Sequence, residues 1–316
     1  MKVLVTGGAG FIGSHLVELL SRQGDEVRVL DDLSTGSSAS IVRESGAELV
    51  VGDVADPAAV SVAVAGCDAV CHLAAVASVA ASIERPLETL RTNVTGSVTV
   101  FAAAASAGVA RVVYASSAAV YGAAQELPLR ETLRPQPLSP YAADKLAGEH
   151  YLGHFHRSGV LGGHAFRFFN VYGPRQDPRS PYSGVISIFL DRAVAGEPLV
   201  VNGDGEQTRD FVYVGDVVEL LARALHGEAQ GEAEEMPVTN LGRGESVSVR
   251  ELAEAVGLAA SGDSPRVEYG PARAGDVRHS RADVTLLDER FGGIPPTGLE
   301  AGLRATVAAT GVRGAV

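Results

Sequence analysis

Tyr141 and Lys145 are spaced so that both side chains could act on one substrate proton. They are four residues apart, so on a helix they lie on one face. A phenol titrates near about 10 and is a poor base at neutral pH, but a nearby ammonium lowers its pKa. The chain has only two lysines, Lys2 and Lys145, so we interpret the pair as a general base for a hydroxyl proton. The alternative is an ordinary exposed pair on a surface helix.

The elements around this pair can be predicted from their boundaries. Ser139 is a good N-cap and Pro140 suits the first helical position, so a helix should begin there. Upstream, the apolar segment 111–115 is typical of a strand, and it ends in two serines. The second of them, Ser117, is predicted to hydrogen-bond the same hydroxyl as Tyr141. For a single serine at this place, a strand-end cap is the competing explanation.

The first 32 residues indicate where a cofactor would bind. A short apolar segment is followed by Gly7, Gly10 and Gly13, then by a helix-periodic stretch and a second apolar segment that ends at Asp31. In such a unit the glycines allow a tight turn, the approach of a pyrophosphate to the backbone and close packing of the helix. The free N–H groups of the helix receive the phosphates. A tight turn without a ligand is the competing interpretation.

The acids at the ends of the strands give the cofactor prediction its detail. Asp31 lies about 20 residues after the turn, where a carboxylate accepts hydrogen bonds from a ribose 2′-hydroxyl and repels a 2′-phosphate. We therefore expect NAD rather than NADP. Asp53 ends the third strand, at the sheet edge where open α/β sheets bind ligands. Contact with adenine and an N-cap before Pro57 are equal alternatives for it.

Alternating strands and helices predict an α/β fold with a Rossmann-type, doubly wound parallel sheet. The alternation weakens after about residue 170, and a return strand follows near 238–241. We predict an NAD-binding domain at 1–169 plus about 211–245. A smaller mixed α/β substrate-binding domain would comprise 170–210 plus about 246–316.

Composition and charge exclude several classes of protein. The net charge of −12 argues against nucleic acid or an anionic membrane as a partner. No apolar run approaches the roughly 18 residues that span a membrane, and the N-terminal strand lacks the regions of a signal peptide. Cys67 and Cys71 make neither a disulfide framework nor a metal site, so we expect no metal. Together these features predict a cytoplasmic protein.

Several motifs along the chain resemble those of one known family. They are residues 7–13 with the spacing G-x-x-G-x-x-G, Asp31, Asp53, and residues 72–75, 116–122, 141–145, 167–176 and 209–213. Together they resemble the NDP-sugar epimerase/dehydratase family of the extended short-chain dehydrogenase/reductase superfamily, over residues 2 to about 285. The resemblance implies tightly bound NAD and an NDP-sugar that is oxidised at its 4-position. It also implies a homodimer formed through the helices at about 85–107 and 140–157.

The residues and the resemblance together give two predicted binding sets. The cofactor set is Gly7, Gly10, Phe11, Ile12, Gly13, Asp31, Asp32, Ser34, Thr35, Gly36, Asp53, Val54, Leu73, Ala74, Ala75, Asn93, Ser116, Tyr141, Lys145 and Phe168. The substrate set is Ser78, Ser117, Tyr141, Asn170, Val185, Arg192, Val200, Asn202, Arg209, Arg273 and Asp276. By the resemblance, Asn170, Arg209 and Arg273 would hold the diphosphate. Asp276 would hold the ribose of the nucleotide, and residues 199–202 would face its base.

The segment after the fifth strand separates the branches of this family. Members that dehydrate or decarboxylate the sugar carry an acid there, where this chain has Ala118 and Ala119. The remaining residues support only proton removal, oxidation at C4 and the return of both, which is typical of UDP-sugar 4-epimerases. Another NDP-sugar reductase or decarboxylase, and a non-catalytic NAD-binding regulator, are the other candidates.

The identity of the sugar depends on which cation could meet a carboxylate at C6. Arg192 falls at the edge of the apolar arc of the predicted helix 184–195, where it either covers the core or reaches an anion. Arg175 and Arg179 are alternative cations. Ala77 replaces a lysine that some glucose epimerases carry. These observations slightly favour UDP-glucuronate/UDP-galacturonate over UDP-glucose/UDP-galactose as the substrate pair.

Overall fold

The computed structural model describes residues 1–35, 39–123, 126–178, 184–227, 235–272, 277–293 and 297–309, except for the side chains of 39–41. The chain divides into two compact units, which are considered separately. Unit 1 comprises Met1–Gly122, Arg134–Phe168 and Val218–Thr239. Unit 2 comprises Ala123–Leu133, Phe169–Val217 and Asn240–Val316.

Strands and helices are numbered in chain order. The strands are β1 (Lys2–Thr6), β2 (Glu26–Asp31), β3 (Glu48–Val51), β4 (Ala69–His72), β5 (Arg111–Ser117), β6 (Gly162–Phe168), β7 (Asn170–Tyr172), β8 (Leu199–Asn202), β9 (Thr208–Arg209), β10 (Phe211–Tyr213), β11 (Val238–Leu241), β12 (Val247–Ser248) and β13 (Val267–Gly270). The α-helices are α1 (Phe11–Arg22), α2 (Ala39–Glu44), α3 (Pro57–Val64), α4 (Val79–Glu84), α5 (Pro86–Leu90), α6 (Gly96–Ser106), α7 (Pro140–Arg157), α8 (Val185–Val194), α9 (Val214–His226), α10 (Val249–Ser261), α11 (Thr285–Phe291) and α12 (Leu299–Ala309).

A seven-stranded sheet forms the centre of unit 1. Its order is β3-β2-β1-β4-β5-β6-β11, and the pairs from β3 to β6 are parallel. The strand order reverses between β1 and β4, and the carboxyl ends of strands at such a switch point are where open α/β sheets bind dinucleotides. The predicted Rossmann-type, doubly wound α/β fold is therefore confirmed.

Helix α7 is held close to the sheet by features that can be recognised in its sequence. The Ser139 side chain accepts a hydrogen bond from the backbone N–H of Ala142, and Pro140 occupies the first turn, as predicted. Gly148 lies so near β5 that a Cβ there would be 2.3 Å from the Tyr114 hydroxyl oxygen. The core continues through Tyr114 and Leu152, both fully buried. This packing fixes α7 beside the carboxyl end of β5.

The helix predicted at 85–107 differs from the observed structure in its detail. It consists of α5, a π-helical turn at Arg91–Thr95 and α6, and the separate helix α4 precedes it. The π turn carries Asn93, which is buried. Single π turns are frequent at functional sites, and hydrophobic periodicity does not reveal them.

Unit 2 contains three two-stranded sheets and a helical core. Strands β7 and β10 pair in parallel, as do β8 and β13, while β9 and β12 are antiparallel. Helices α8, α10 and α12 bury a cluster that includes Phe189, Leu252 and Leu303. Asp210 is fully buried, and its carboxylate accepts hydrogen bonds from the backbone N–H groups of Arg243, Gly244 and Ala282. One carboxylate thus joins three segments of the unit.

The division into units differs from the expected one at the connecting segments. Residues 123, 126–133, 169, 211–217 and 240–245 belong to unit 2, although the sequence predicted them in the first domain. The backbone explains the case of residues 126–133, because Leu129 donates to the carbonyl of Arg281 and accepts from the N–H of Asp283. Sequence periodicity carries no information on such backbone pairings, since they do not depend on the side chains.

None of the described helices is both long and apolar enough to cross a membrane. Within the described residues, no group of three or more histidine, cysteine or acidic side chains could hold a metal ion. Cys67 and Cys71 are buried free thiols.

Candidate active site

The three predicted catalytic residues meet at the carboxyl end of β5. Tyr141 and Lys145 lie on the first two turns of α7, and Ser117 is the last residue of β5. The Ser117 side chain lies near enough to the Tyr141 phenol to act on its pKa as a hydrogen-bonding neighbour. The Lys145 Nζ lies 5.9 Å from the centroid of the Tyr141 ring and donates to the carbonyl of Ala115 at 2.8 Å. Unit 1 therefore assembles a phenol, a hydroxyl and an ammonium around one place.

Burial controls the protonation of these groups. Burial raises the pKa of Tyr141, and the hydrogen bond with Ser117 opposes that change. Burial also lowers the pKa of Lys145 to about 8, against the charge of Asp144. The lowering expected from Lys145 is not seen for the side chains alone, where burial has the largest effect on the pKa of Tyr141. Bringing the phenol towards neutrality requires a further positive charge, such as a nicotinamide ring.

The glycine turn has the geometry that a dinucleotide requires. A Cβ at Gly13 would lie 2.1 Å from the carbonyl oxygen of Gly7, so only glycine fits there. Gly7 itself has a φ of +70°, and a Cβ would lie 2.7 Å from the backbone nitrogen of Ala74. Gly10 is the N-cap of α1 and makes no side-chain capping bond. The turn thus presents bare backbone and a helix N-terminus, and it fits a pyrophosphate.

Asp31 is held in position by the backbone. Its two carboxylate oxygens each accept one backbone N–H, from Ala9 and Leu33, both at 2.9 Å. Each oxygen therefore keeps a lone pair for a ribose hydroxyl. Burial raises the pKa of Asp31, and the two hydrogen bonds oppose that change. The carboxylate is oriented before any ligand binds, which agrees with its predicted role in recognising NAD.

The loop after β2 is ordered by its first residue. Asp32 accepts hydrogen bonds from the backbone N–H of Ser34 at 2.9 Å and from its hydroxyl at 2.6 Å. Thr35 is exposed. The predicted contact at Gly36 lies outside the described residues.

Asp53 is not the helix cap that its position allowed. It accepts a hydrogen bond from the N–H of Ala55 and pairs with Arg91 at 2.5 Å. The cap of α3 is Asp56, whose carboxylate accepts the N–H of Ala58, so the N-cap alternative is wrong. Burial acts to raise the pKa of Asp53, but these two partners lower it overall.

The remaining residues of the predicted cofactor set differ in their solvent exposure. Those that are half-buried are Phe11, Ile12, Leu73, Ala74, Ala75 and Phe168. Val54 is instead buried in the core of unit 1. The Asn93 side chain accepts the N–H of Val76 at 2.8 Å and donates to Asp144 at 3.3 Å. Asn93 thus ties the segment after β4 to α7.

Two predicted site serines have other partners in the structure. The Ser78 hydroxyl accepts the backbone N–H of Ala81 and caps α4. The Ser116 hydroxyl donates to Glu149 at 2.5 Å. Sequence reasoning missed Glu149 and its partner Arg167, although Glu149 lies four residues after Lys145 on the same face of α7.

The predicted nucleotide-binding residues of unit 2 that the structure describes are mostly half-buried. Val200 and Asn202 are half-buried on one face of β8, while the alternate residues of that strand are buried in the core. Asn170 is exposed, Val185 is half-buried, and Arg209 donates to the carbonyl of the preceding Thr208 at 2.8 Å. The predicted contacts at Arg273 and Asp276 lie outside the described residues.

Arg192 has partners of its own within unit 2. Its Nε donates to the carbonyl of Pro198 at 2.6 Å, and its Nη2 lies 3.5 Å from a carboxylate oxygen of Glu197. Both contacts hold the turn that follows α8. Of the alternative cations, Arg175 is exposed with a φ of +67°, and Arg179 lies outside the described residues.

A family model supplies the deciding comparison. Residues 3–242 match the sequence model of the NAD dependent epimerase/dehydratase family. The chain belongs to this family. The predicted family and its NAD cofactor are thereby confirmed, and the protein is an NAD-dependent enzyme of this fold.

Individual members of the family are similar over nearly their whole length. The chain is 40% identical over 313 residues to a UDP-glucose 4-epimerase of Mycolicibacterium smegmatis, with 97% of both proteins covered. A UDP-glucose 4-epimerase of Thermus thermophilus, solved as a complex with NAD, superposes with a TM-score of 0.86 at 40% identity and 100% coverage of both chains. MoeE5, in complex with UDP-glucuronic acid and NAD, superposes with a TM-score of 0.85 at 38% identity, covering 98% of this chain and 99% of that one.

Proposed function

We propose that the protein interconverts the C4 epimers of a UDP-hexose by oxidising C4 and reducing it again on the opposite face. The meeting of Ser117, at the end of β5, with Tyr141 and Lys145, at the start of α7, in an NAD-binding unit carries this proposal. Relatives with the names of UDP-sugar epimerases, similar over nearly the whole chain, support it.

The side chains divide the proton chemistry among them. Tyr141 accepts the proton of the sugar O4 and returns it after the sugar has turned over. Ser117 holds the same hydroxyl through its hydrogen bond with the phenol. Lys145, anchored on the carbonyl of Ala115, keeps a positive charge near the forming phenolate. NAD held at the glycine turn supplies a reversible two-electron acceptor for C4, so no net oxidant is consumed.

The other candidate functions explain fewer of the observations. Elimination of water needs another acid or base after β5. The short 3₁₀ helix there begins with Ala118 and Ala119, whose side chains can neither donate nor accept a proton. A non-catalytic NAD-binding regulator has no use for Tyr141 or for a buried ammonium at Lys145. Burial disfavours the charge of Lys145, so this residue lowers the free energy of unfolding. A catalytic role of the charge explains why a lysine is present there.

Two substrate pairs are considered, and the contacts of Arg192 favour one of them. We favour UDP-glucose and UDP-galactose as substrates, because Arg192 already binds Pro198 and Glu197 and is not directed at a sugar carboxylate. UDP-glucuronate and UDP-galacturonate come second, because MoeE5 is similar over nearly the whole chain and was solved with UDP-glucuronic acid. The slight preference for glucuronate derived from the sequence is not confirmed.

The test follows the anomeric proton of each substrate by NMR, using purified protein without added NAD. We expect UDP-glucose to be converted into UDP-galactose. Arg192→Ala should leave this conversion within about threefold of the wild type, as should the exposed control Arg266→Ala. Exclusive conversion of UDP-glucuronate, with a loss of about 100-fold or more in Arg192→Ala, would support the second pair instead. No conversion of either sugar would reject the proposed function.

We also propose that the protein forms a homodimer through α5, α6 and α7. Leu87 on α5 is 81% exposed, and Tyr151 on α7 is 45% exposed, so large apolar side chains face outward on the predicted helices. Sedimentation should give twice the chain mass of 32.6 kDa. Leu87→Glu should shift the protein towards monomer, and a monomeric wild type would contradict the proposal. A cytoplasmic location stays a prediction.

A further inference from the structure

A buried polar network lies beside the catalytic residues and is not used by the mechanism above. The Arg167 guanidinium binds Glu149 through two parallel hydrogen bonds, Nε to Oε1 at 2.9 Å and Nη2 to Oε2 at 2.8 Å. Oε1 also accepts the Ser116 hydroxyl. On its other side the guanidinium lies 4.8 Å from the ring centroid of Tyr121 and hydrogen-bonds that side chain. The side chains of Glu149 and Arg167 are 6% and 5% exposed, so the pair is almost completely desolvated.

Stability alone does not account for a buried ion pair. Removing two charges from water costs several kcal/mol per ion, and a well-packed apolar pair is often equally stable or better. Burial acts to lower the pKa of Arg167, but the hydrogen bonds and charge of Glu149 more than offset it and raise that pKa. The guanidinium therefore stays charged, and its bidentate contact with Glu149 is directional in a way that an apolar contact is not.

The directional contacts hold the chain both before and after the catalytic Ser117. Ser116 immediately precedes Ser117 on β5, and Glu149 fixes its hydroxyl. Tyr121 ends the 3₁₀ helix that follows Ser117, and Arg167 fixes its ring. The Ser117 side chain itself accepts the N–H of Ala119 in that helix. The backbone is thus held on both sides of Ser117.

The same network also sets the position of α7 on the sheet. Glu149 lies one turn after Lys145, so β5 receives one charged contact from each, at Ser116 and at the carbonyl of Ala115. Arg167 adds the link to β6, whose Phe168 is in register with Ser117. Because these two contacts are one turn apart, they fix both the position of α7 along its axis and its rotation about that axis.

We propose that the Glu149–Arg167 pair is a positioning device that holds Ser117 and α7 so that the Tyr141–Ser117 hydrogen bond keeps its reactive geometry. This inference rests on the proposed function, since it gives Tyr141 and Ser117 their catalytic roles. Neither Glu149 nor Arg167 is a catalytic residue, because each acts through a neighbour. The pair contributes to turnover rather than to substrate affinity.

The first test replaces the pair by apolar residues of similar size in Glu149→Leu/Arg167→Met. We expect kcat to fall by about tenfold to 100-fold, because small displacements of reacting groups are that costly, while KM stays within about threefold. The melting temperature should stay close to that of the wild type. Arg111→Met is the matched control, since Arg111 is a buried arginine at the opposite end of β5 that binds the carbonyls of Ala224 and Leu225. It should lower stability and leave kcat unchanged.

A double-mutant cycle with Ser117→Ala shows whether the pair acts through the serine. In the Ser117→Ala background the apolar pair should cost less than about threefold in kcat, because the contact between Ser117 and Tyr141 through which it acts is gone. An equal loss in both backgrounds, or a wild-type kcat in the double variant, would overturn the proposal. If the double variant does not fold, Ser116→Ala replaces it. That variant should retain its melting temperature and lose kcat by several-fold, and an unchanged kcat would overturn the proposal.

Amide hydrogen exchange keeps this test separate from that of the proposed function. In the holoenzyme, Glu149→Leu/Arg167→Met should exchange faster than the wild type by about tenfold or more at residues 118–121 and in the first turn of α7. Arg111→Met should not change exchange there. A wild type that converts neither sugar rejects the proposed function. Unchanged exchange in the double variant rejects the positioning role.

Discussion

Replacing Lys145 by methionine should make the protein more stable while making it nearly inactive. Burial lowers the pKa of Lys145 from 10.5 to about 8, so the folded state binds its proton more weakly than the unfolded chain does. At about 1.4 kcal/mol for each tenfold change, the charged lysine costs folding about 3 kcal/mol at pH 7. Losing its hydrogen bond to Ala115 costs about 1 kcal/mol. Lys145→Met should therefore gain about 2 kcal/mol and lose at least about 100-fold in kcat.

The pH dependence identifies the source of that gain. The stability lost to a depressed pKa is greatest below the folded-state value and returns as the pH rises through about 8 towards 10.5. The cost of the charged lysine should thus be full at pH 7 and about half as large at pH 9.5, which leaves Lys145→Met an advantage of only about 0.5 kcal/mol there. Urea unfolding of NAD-free protein at several pH values measures it directly. NAD must be absent, because a ligand that binds only the folded state adds its own stabilisation.

Lys2, which is the other lysine of the chain, provides the control. It pairs with Glu26, whose side chain is 68% exposed, so Lys2→Met should change stability by less than about 1 kcal/mol and leave kcat unchanged. A Lys145→Met variant that is less stable than the wild type at pH 7 would refute the reasoning. So would a stability difference that does not change with pH, because desolvation of the ammonium would then not be the cause.

Three further substitutions test the site. Gly13→Ala places a Cβ 2.1 Å from a backbone carbonyl of the turn and should weaken NAD binding by about 100-fold, measured by fluorescence titration, whereas Gly298→Ala meets no atom within 4 Å and should not change it. Asp31→Ala should narrow the preference for NAD over NADP by about tenfold or more in the same titration, and an unchanged ratio would contradict its assigned role. Tyr141→Phe should lower kcat by about 100-fold to 10,000-fold without loss of bound NAD, and full activity would reject the proposed base.

The sequence predicted those parts of the fold that repeat or that have local signals. Ser139 and Pro140 mark the start of α7 by side-chain chemistry alone, and the observed helix begins there. The strands of the large sheet are short apolar runs bounded by turns. In contrast, the π turn at Asn93 depends on how α5 and α6 meet their neighbours, and hydrophobic periodicity is insensitive to one extra residue.

For the candidate site, the sequence predicted which residues meet but not what controls them. Tyr141, Lys145 and Ser117 were predicted from spacing and strand ends, and the structure brings them together. The effect of burial on the pKa of Tyr141 could not be predicted, because burial depends on the whole fold while a spacing of four residues shows only proximity. Arg167 is far from Glu149 in the chain, so their pairing could not be read from local sequence.

The most direct test of the account uses UDP-glucose that carries deuterium at C4 and hydrogen elsewhere. If the protein oxidises and reduces C4 with the same bound NAD, the UDP-galactose formed keeps the deuterium at C4. No hydrogen from the solvent enters at C4, and no reduced cofactor accumulates. NMR of the product at C4 measures this. Loss of the label to water, or turnover only with added oxidant, would contradict the central claim that one bound cofactor removes and returns the same hydrogen.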